Sequence, residues 1–175
     1  MPWRIVTYRV PAEPSRHRVA IWRELRRVGA VALQQATWAL PTGDVFDAAA
    51  ERARALVQRA DGSFLVAQVD ADDDSVSELE ALFSAEREAE WTEFLSECGK
   101  YEAEIDHEID IEKFTLAELD EEEQACERLR RWHRQIQTRD LFGAPSADRA
   151  DQRLKEVTDR LEDYAEWVFN ARERP

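Results

Sequence analysis

The chain has 175 residues, 43% of them hydrophobic and 35% charged, and a formal net charge of −14 at neutral pH. This length holds one domain or two small ones with a real core, and the composition excludes wholesale disorder. No apolar run can span a bilayer, and arginines interrupt the apolar residues of the opening "MPWRIVTYRVP", which lacks a signal-peptide layout; a cytoplasmic protein without membrane contact is expected.

"WRIVTYRVP" is rich in β-branched and aromatic residues and reads as a strand. "PSRHRVAIWRELRRVG" follows as a helix, with Ser15 as expected N-cap, Ile21, Leu25 and Val28 as its apolar face, and Gly29 as its end. "AVALQQATWALP" reads as two short strands. "TGDVFDAAAERARALVQRADG" is a second helix, capped by Asp44, with Phe46, Ala49, Ala53, Leu56 and Val57 on one face and Gly62 at its close. "SFLVAQVDA" is the last strand. The resulting order of strand, helix, strand, strand, helix, strand is that of a ferredoxin-like βαββαβ sheet. Trp3, Trp22 and Trp38 fall on its strands and first helix and are expected to pack in the core or on the sheet face.

Past Asp70 the pattern turns helical. Ser75 and Glu78 form a capping-box pair, and Trp91, Phe94, Leu95, Cys98, Tyr101, Ile105 and Ile109 carry a stripe onward, locally weakened by Gly99. Thr115 and Glu118 form a second box before a helix bearing Leu116, Leu119, Cys126, Leu129, Trp132 and Ile136. "LFGAPSAD" breaks the chain, and Ala150, Leu154, Val157, Leu161, Tyr164 and Val168 make a last seam. The expected class is therefore α+β: a ferredoxin-like domain over residues 1–72, then an antiparallel helical region over 73–175 packed on it. Cys98 and Cys126 fall on apolar stripes and read as buried free thiols.

Charge is segregated. Residues 1–62 carry a balance of +4, residues 63–127 one of −20, and residues 128–175 one of +2. In the first helix Arg16, Arg23 and Arg27 fall within about 40° of one another, opposite the apolar face. Arg16, His17 and Arg18 crowd a first turn whose dipole is already positive. Three negative partners would relieve that conflict: a DNA phosphate, an oxyanion of the chromate or sulfate kind, or the chain's own carboxylates. Ser15, Arg16, Arg18, Arg23 and Arg27 are the candidate anion- or DNA-binding residues. Among them Arg23 and Arg27 are expected to dock the acidic helices, leaving Ser15, Arg16 and Arg18 for the anion.

Glu104 and His107 have the i, i+3 spacing of carboxylate-bridged metal bundles, but such bundles need a second pair, and position 130, three before His133, is an arginine. They are weak metal candidates beside a solvated acidic face, and no metal or cofactor is expected. There is no glycine-rich phosphate loop, Cys-x-x-Cys pair or nucleophile elbow, so no enzyme is expected.

"VPAEPSRHRVAIWRELRRVGAVALQQATWALP", "EKFTLAELDEEEQACERLRRWHRQIQTRDLFGAP" and the closing helix resemble the N-terminal domain of the ChrB family of chromate-resistance regulatory proteins. The resemblance covers almost the whole chain and rests on P-x-x-x-S-R-x-R-V-x-x-W-R-x-L, a Gly-Ala pair and R-D-x-F-G-A-P. It implies a ferredoxin-like domain followed by helices, a role in transcriptional control of chromate efflux, and basic residues at Arg16, Arg18 and Arg23. Full-length members carry a second, C-terminal domain that this sequence does not include. More distantly, the first half resembles the middle domain of PaaX-type repressors, and the small ferredoxin-like protein of CRISPR adaptation. The latter's metal-binding Asp after Tyr is replaced here by Arg9 after Tyr8, so no metal nuclease is implied. A module for protein interaction or homodimerisation, its arginines neutralised internally, is the alternative to a regulator.

Overall fold

A computed structural model describes residues 2–70 and 72–173. They form two compact units, Met1–Glu86 and Arg87–Pro175. The first holds β1 (Trp3–Arg9), α1 (Arg16–Arg27), β2 (Val31–Gln34), β3 (Thr37–Pro41), α2 (Asp44–Arg59) and β4 (Ser63–Val69). The sheet order is β2-β3-β1-β4 with every neighbour antiparallel. That is the order of a split β-α-β fold, so the α+β, ferredoxin-like expectation is met.

The register explains which side chains the helices cover. Val6 pairs with Trp38 and Val66, and Arg4 with Leu40 and Gln68. Alternation puts Arg4, Val6 and Tyr8 on one face. That face meets α2, where Arg4 is paired with Asp47 and Arg54 lies over the Phe64 ring at 5.0 Å. Ile21, Leu25 and Val28 of α1 and Phe46, Ala49, Ala53 and Val57 of α2 are buried, as their spacing predicts. Leu56 is half-buried. The unit takes in the opening turns of α3 (Asp73–Asp110) as far as Glu86, and the Phe83 ring meets Trp3 and Phe46 edge-on at 5.9 and 6.3 Å.

Two helix starts differ from the expected caps, and a third keeps its residue without the bond. Ser15 takes the cap position of α1 as expected, but with helical dihedrals and no capping bond from its side chain: Val19 N–H donates to the Ser15 carbonyl and His17 N–H to that of Pro14. Gly43, with φ of 153°, takes the cap position before α2, and Asp44 instead places its carboxylate in the first turn. The α3 cap is Asp72, whose Oδ1 accepts from Ser75 N–H at 2.8 Å. Thr115 caps α4 (Leu116–Arg139) as expected, accepting from Glu118 N–H at 3.2 Å.

Of the three tryptophans, Trp3 and Trp38 are buried, but Trp22 is 47% exposed. The core expectation fails there because Ile21 and Leu25 already point at the sheet, and Trp22 is turned about 100° from Ile21. Arg26 stacks over its ring at 5.4 Å. Trp22→Ala should therefore change unfolding free energy by less than about 1 kcal/mol, against the 3–5 kcal/mol of a core tryptophan. A chemical denaturation curve checks this.

The second unit packs the rest of α3 with α4 and α5 (Ala147–Glu173). The helix α3 runs through Gly99 without a break. Contacts give the directions. Tyr101 reaches Glu122 and Glu90 meets Arg139, so α3 and α4 are antiparallel. His133 meets Asp151 and Arg130 meets Thr158, so α4 and α5 are too. The core holds Trp91, Phe94, Cys98, Ile105, Leu119, Cys126, Ile136, Val157 and Tyr164. Leu116 is exposed, because it opens α4 ahead of the packed stripe. Cys98 and Cys126 are buried free thiols; burial pushes Cys98 up to about 12 and Cys126 upward as well, so neither is a nucleophile at neutral pH.

Candidate functional site

A groove of about 840 Å³ opens beside α1. Helical spacing sets Ser15, Arg18, Trp22 and Arg26 along one side of that helix, and Ser15, Arg18, Val19, Trp22 and Arg23 form the groove's helical wall. Tyr8 of β1 and Trp38 of β3 form its floor, the β2–β3 turn supplies Gln34, Gln35 and Ala36, and Arg9, Val10 and Ala12 close one end. Ala36 holds φ of 59°, which turns the hairpin tightly.

The Trp38 indole N–H is buried beside the Tyr8 hydroxyl, near enough to favour that group's ionised form. Burial is the stronger influence and raises the Tyr8 hydroxyl above its ordinary range; the Trp38 N–H and the Arg18 charge oppose it.

Ser15, Arg18 and Arg23 line the groove, and Arg16 and Arg27 do not. The expected stripe of Arg16, Arg23 and Arg27 does lie exposed on the side away from the core. Its members differ in charge partners. Arg27 donates to Glu24 at 2.8 Å, and Arg52 meets the same carboxylate at 2.5 Å. Burial works to raise the Glu24 carboxyl, but the two guanidiniums outweigh it and hold it below the ordinary range. Among the described residues of this unit, Arg16, Arg18 and Arg23 have no carboxylate partner. Sequence reasoning missed Tyr8, Trp38, Gln34 and Gln35, because arginine spacing carries no information about what the strands place opposite. The exposed setting of Trp22 was legible in its angle from Ile21.

In the second unit Glu104 and His107 are both exposed, and among the described residues no three His, Cys, Asp or Glu side chains are placed to hold a metal. His133 is buried, bonded through Nε2 to Asp151 at 2.7 Å and packed against Trp91 and Phe94. A shallow cavity between α3 and α4 is lined by Glu97, Tyr101, Glu104, Glu121, Glu122 and Trp132 among others. Glu122 is buried there. Burial, and then the charges of Glu104, Glu108, Glu118 and Glu121, push its carboxyl up to about 7. The folded state thus holds a proton that the unfolded chain releases above about pH 4.5, so stability falls as pH rises from there to about 7. Glu122→Gln should flatten that fall and stabilise the protein at pH 8 by on the order of 2 kcal/mol. Denaturation midpoints of both proteins at pH 5 and pH 8 check it.

A family model described as Protein ChrB, N-terminal, matches residues 18–175. No curated protein and no solved structure matches the chain.

Proposed function

The chain belongs to the ChrB N-terminal family, and from that premise we propose that it is a non-enzymatic regulatory protein of chromate or oxyanion resistance. It binds DNA phosphates through the arginines of α1. The observation that supports this reading is the contrast along one helix: Arg16, Arg18 and Arg23 are exposed without a carboxylate partner in their unit, while Arg27 is paired with Glu24. Exposed, unpaired guanidiniums on a short helix beside an open groove suit phosphate contact. A free chromate ion would gain most from a small enclosed cage, and the groove is open and large.

The test is binding of duplex DNA from the promoter of the protein's own gene neighbourhood at several salt concentrations. Affinity is expected to fall steeply with salt, and charge-removing variants of Arg16, Arg18 and Arg23 are each expected to weaken it. Binding that ignores salt, or that survives all three changes together, refutes the reading. A second reading, a homodimerisation module, is favoured by Trp167 and Phe169, which stand 41% and 54% exposed near the end of α5. Sedimentation at several concentrations decides that one: a monomer throughout excludes it.

A further inference from the structure

We propose that the α1 groove receives one nucleotide as a unit, its base lying flat on Trp22 and its phosphate held by Arg18 and Arg23; the inference deepens the DNA-binding reading and rests on it. Four observations converge. The first is size. At about 840 Å³ the groove falls within the range of clefts that take organic ligands, about 300–1,000 Å³, and an inorganic tetrahedral ion would leave most of it to water. The second is the wall. Trp22 offers nearly half its surface on the helix side, and an exposed indole flanked by guanidiniums is the surface on which bases stack irrespective of sequence.

The third is charge. Arg18 and Arg23 bracket Trp22 on the same wall and have no carboxylate partner in their unit, so a phosphate one sugar away from a stacked base meets a guanidinium. The fourth is the β2–β3 turn, where the exposed amides of Gln34 and Gln35 line the groove and can hydrogen-bond to the ring nitrogens and exocyclic groups of a base. Phosphate contacts alone would account for the arginines. They would not account for an exposed tryptophan on the same wall.

The nucleotide could come free or as part of a single strand, and the experiment separates the two. Adenosine monophosphate and ribose 5-phosphate, equal in phosphate charge, are titrated into the full chain by calorimetry. The mononucleotide is expected to bind about tenfold more tightly, the gain of one stacked base. Trp22→Ala is expected to bring both ligands to the same affinity with an unchanged melting temperature, and Trp22→Phe to restore most of the difference. Arg18→Gln is expected to weaken both ligands alike. Two five-nucleotide strands, one intact and one abasic at its centre, form the second arm. An intact strand that binds more tightly than the mononucleotide and depends on its central base assigns the groove to single strands; equal or weaker binding assigns it to free nucleotides, and either supports the proposal. Equal binding of the mononucleotide and the sugar phosphate, or no binding of either, overturns it, as does a Trp22→Ala variant that still tells them apart. Promoter duplex binding that persists in that case leaves the regulatory reading standing. Tenfold discrimination without duplex binding would fell the regulatory reading alone.

Discussion

Asp140→Ala is expected to lower the stability of the helical unit by about 3–4 kcal/mol. One carboxylate closes the turn after α4. Both of its oxygens accept from Ala144 N–H at 3.0 Å, and Oδ2 also accepts from the Trp91 indole N–H at 2.8 Å. The Trp91 ring is buried among Phe94 and His133. Removing the acceptor strands a buried donor, which costs about 1–3 kcal/mol, and frees a turn whose bonds are worth about 1 kcal/mol each. Asp140→Asn keeps the shape and one acceptor oxygen and should lose roughly half as much. Urea unfolding followed by far-ultraviolet circular dichroism measures both, and equal losses, or none, would contradict this role. The R-D-x-F-G-A-P motif is thereby a packing device. Arg139 meets Glu90 at 3.0 Å, Asp140 holds Trp91, and Glu88 takes both the amide and the hydroxyl of Ser146 just past the proline.

Gly62→Ala should cost the sheet unit about 3 kcal/mol. The end of α2 is closed by two backbone bonds, Asp61 N–H to the Gln58 carbonyl and Gly62 N–H to that of Val57. The left-handed position is taken by Asp61, at φ of 52°, and not by the glycine. Gly62 is needed for space: a Cβ there would sit 2.3 Å from the Arg9 carbonyl oxygen and 2.8 Å from Val10 and Val57. A backbone atom cannot swing aside as a flexible side chain does, so β1 and β4 must part where Arg9 pairs with Ser63. A denaturation midpoint within error of the parent would contradict that account. The same strain would shift Arg9 and Val10, which line the end of the groove, so ligand affinity should fall along with stability.

The strand and helix order was legible because each element of the sheet unit carries its own period and its own punctuation. Val6, Ile21, Leu25, Ala49, Ala53 and Val57 are buried where alternation or helical spacing puts them. Gly29 closes α1 at φ of 80° with Ala30 N–H donating to the Leu25 carbonyl, the geometry a glycine after a helix predicts. Caps were less legible: Asp44 and Ser75 each had a neighbour able to take the position, and Ser15 holds it without a side-chain bond. The difference between Gly43 and Asp44 as a helix start is set by backbone dihedrals that no composition rule fixes. The candidate site was half legible. A helical wheel separates three directions on α1: Ile21, Leu25 and Val28 toward the sheet, Arg16, Arg23 and Arg27 opposite, and Ser15, Arg18 and Trp22 between them. Arginine count drew attention to the second direction, and the groove lies along the third. Its floor, Tyr8 and Trp38, comes from strands that meet only through the β1–β3 register.

The central claim is that the arginines of α1 without a carboxylate partner in their unit, and not Arg27, which is paired with Glu24, carry the anion contact. Arg18→Gln and Arg27→Gln remove the same charge from the same helix, nine residues apart. The deciding measurement is the slope of log affinity for the promoter duplex against log salt for each. Arg18→Gln should flatten the slope by about one unit with an unchanged melting temperature, and Arg27→Gln should leave the slope as in the parent. Equal slopes in the two variants, or a flattening confined to Arg27→Gln, would contradict the account.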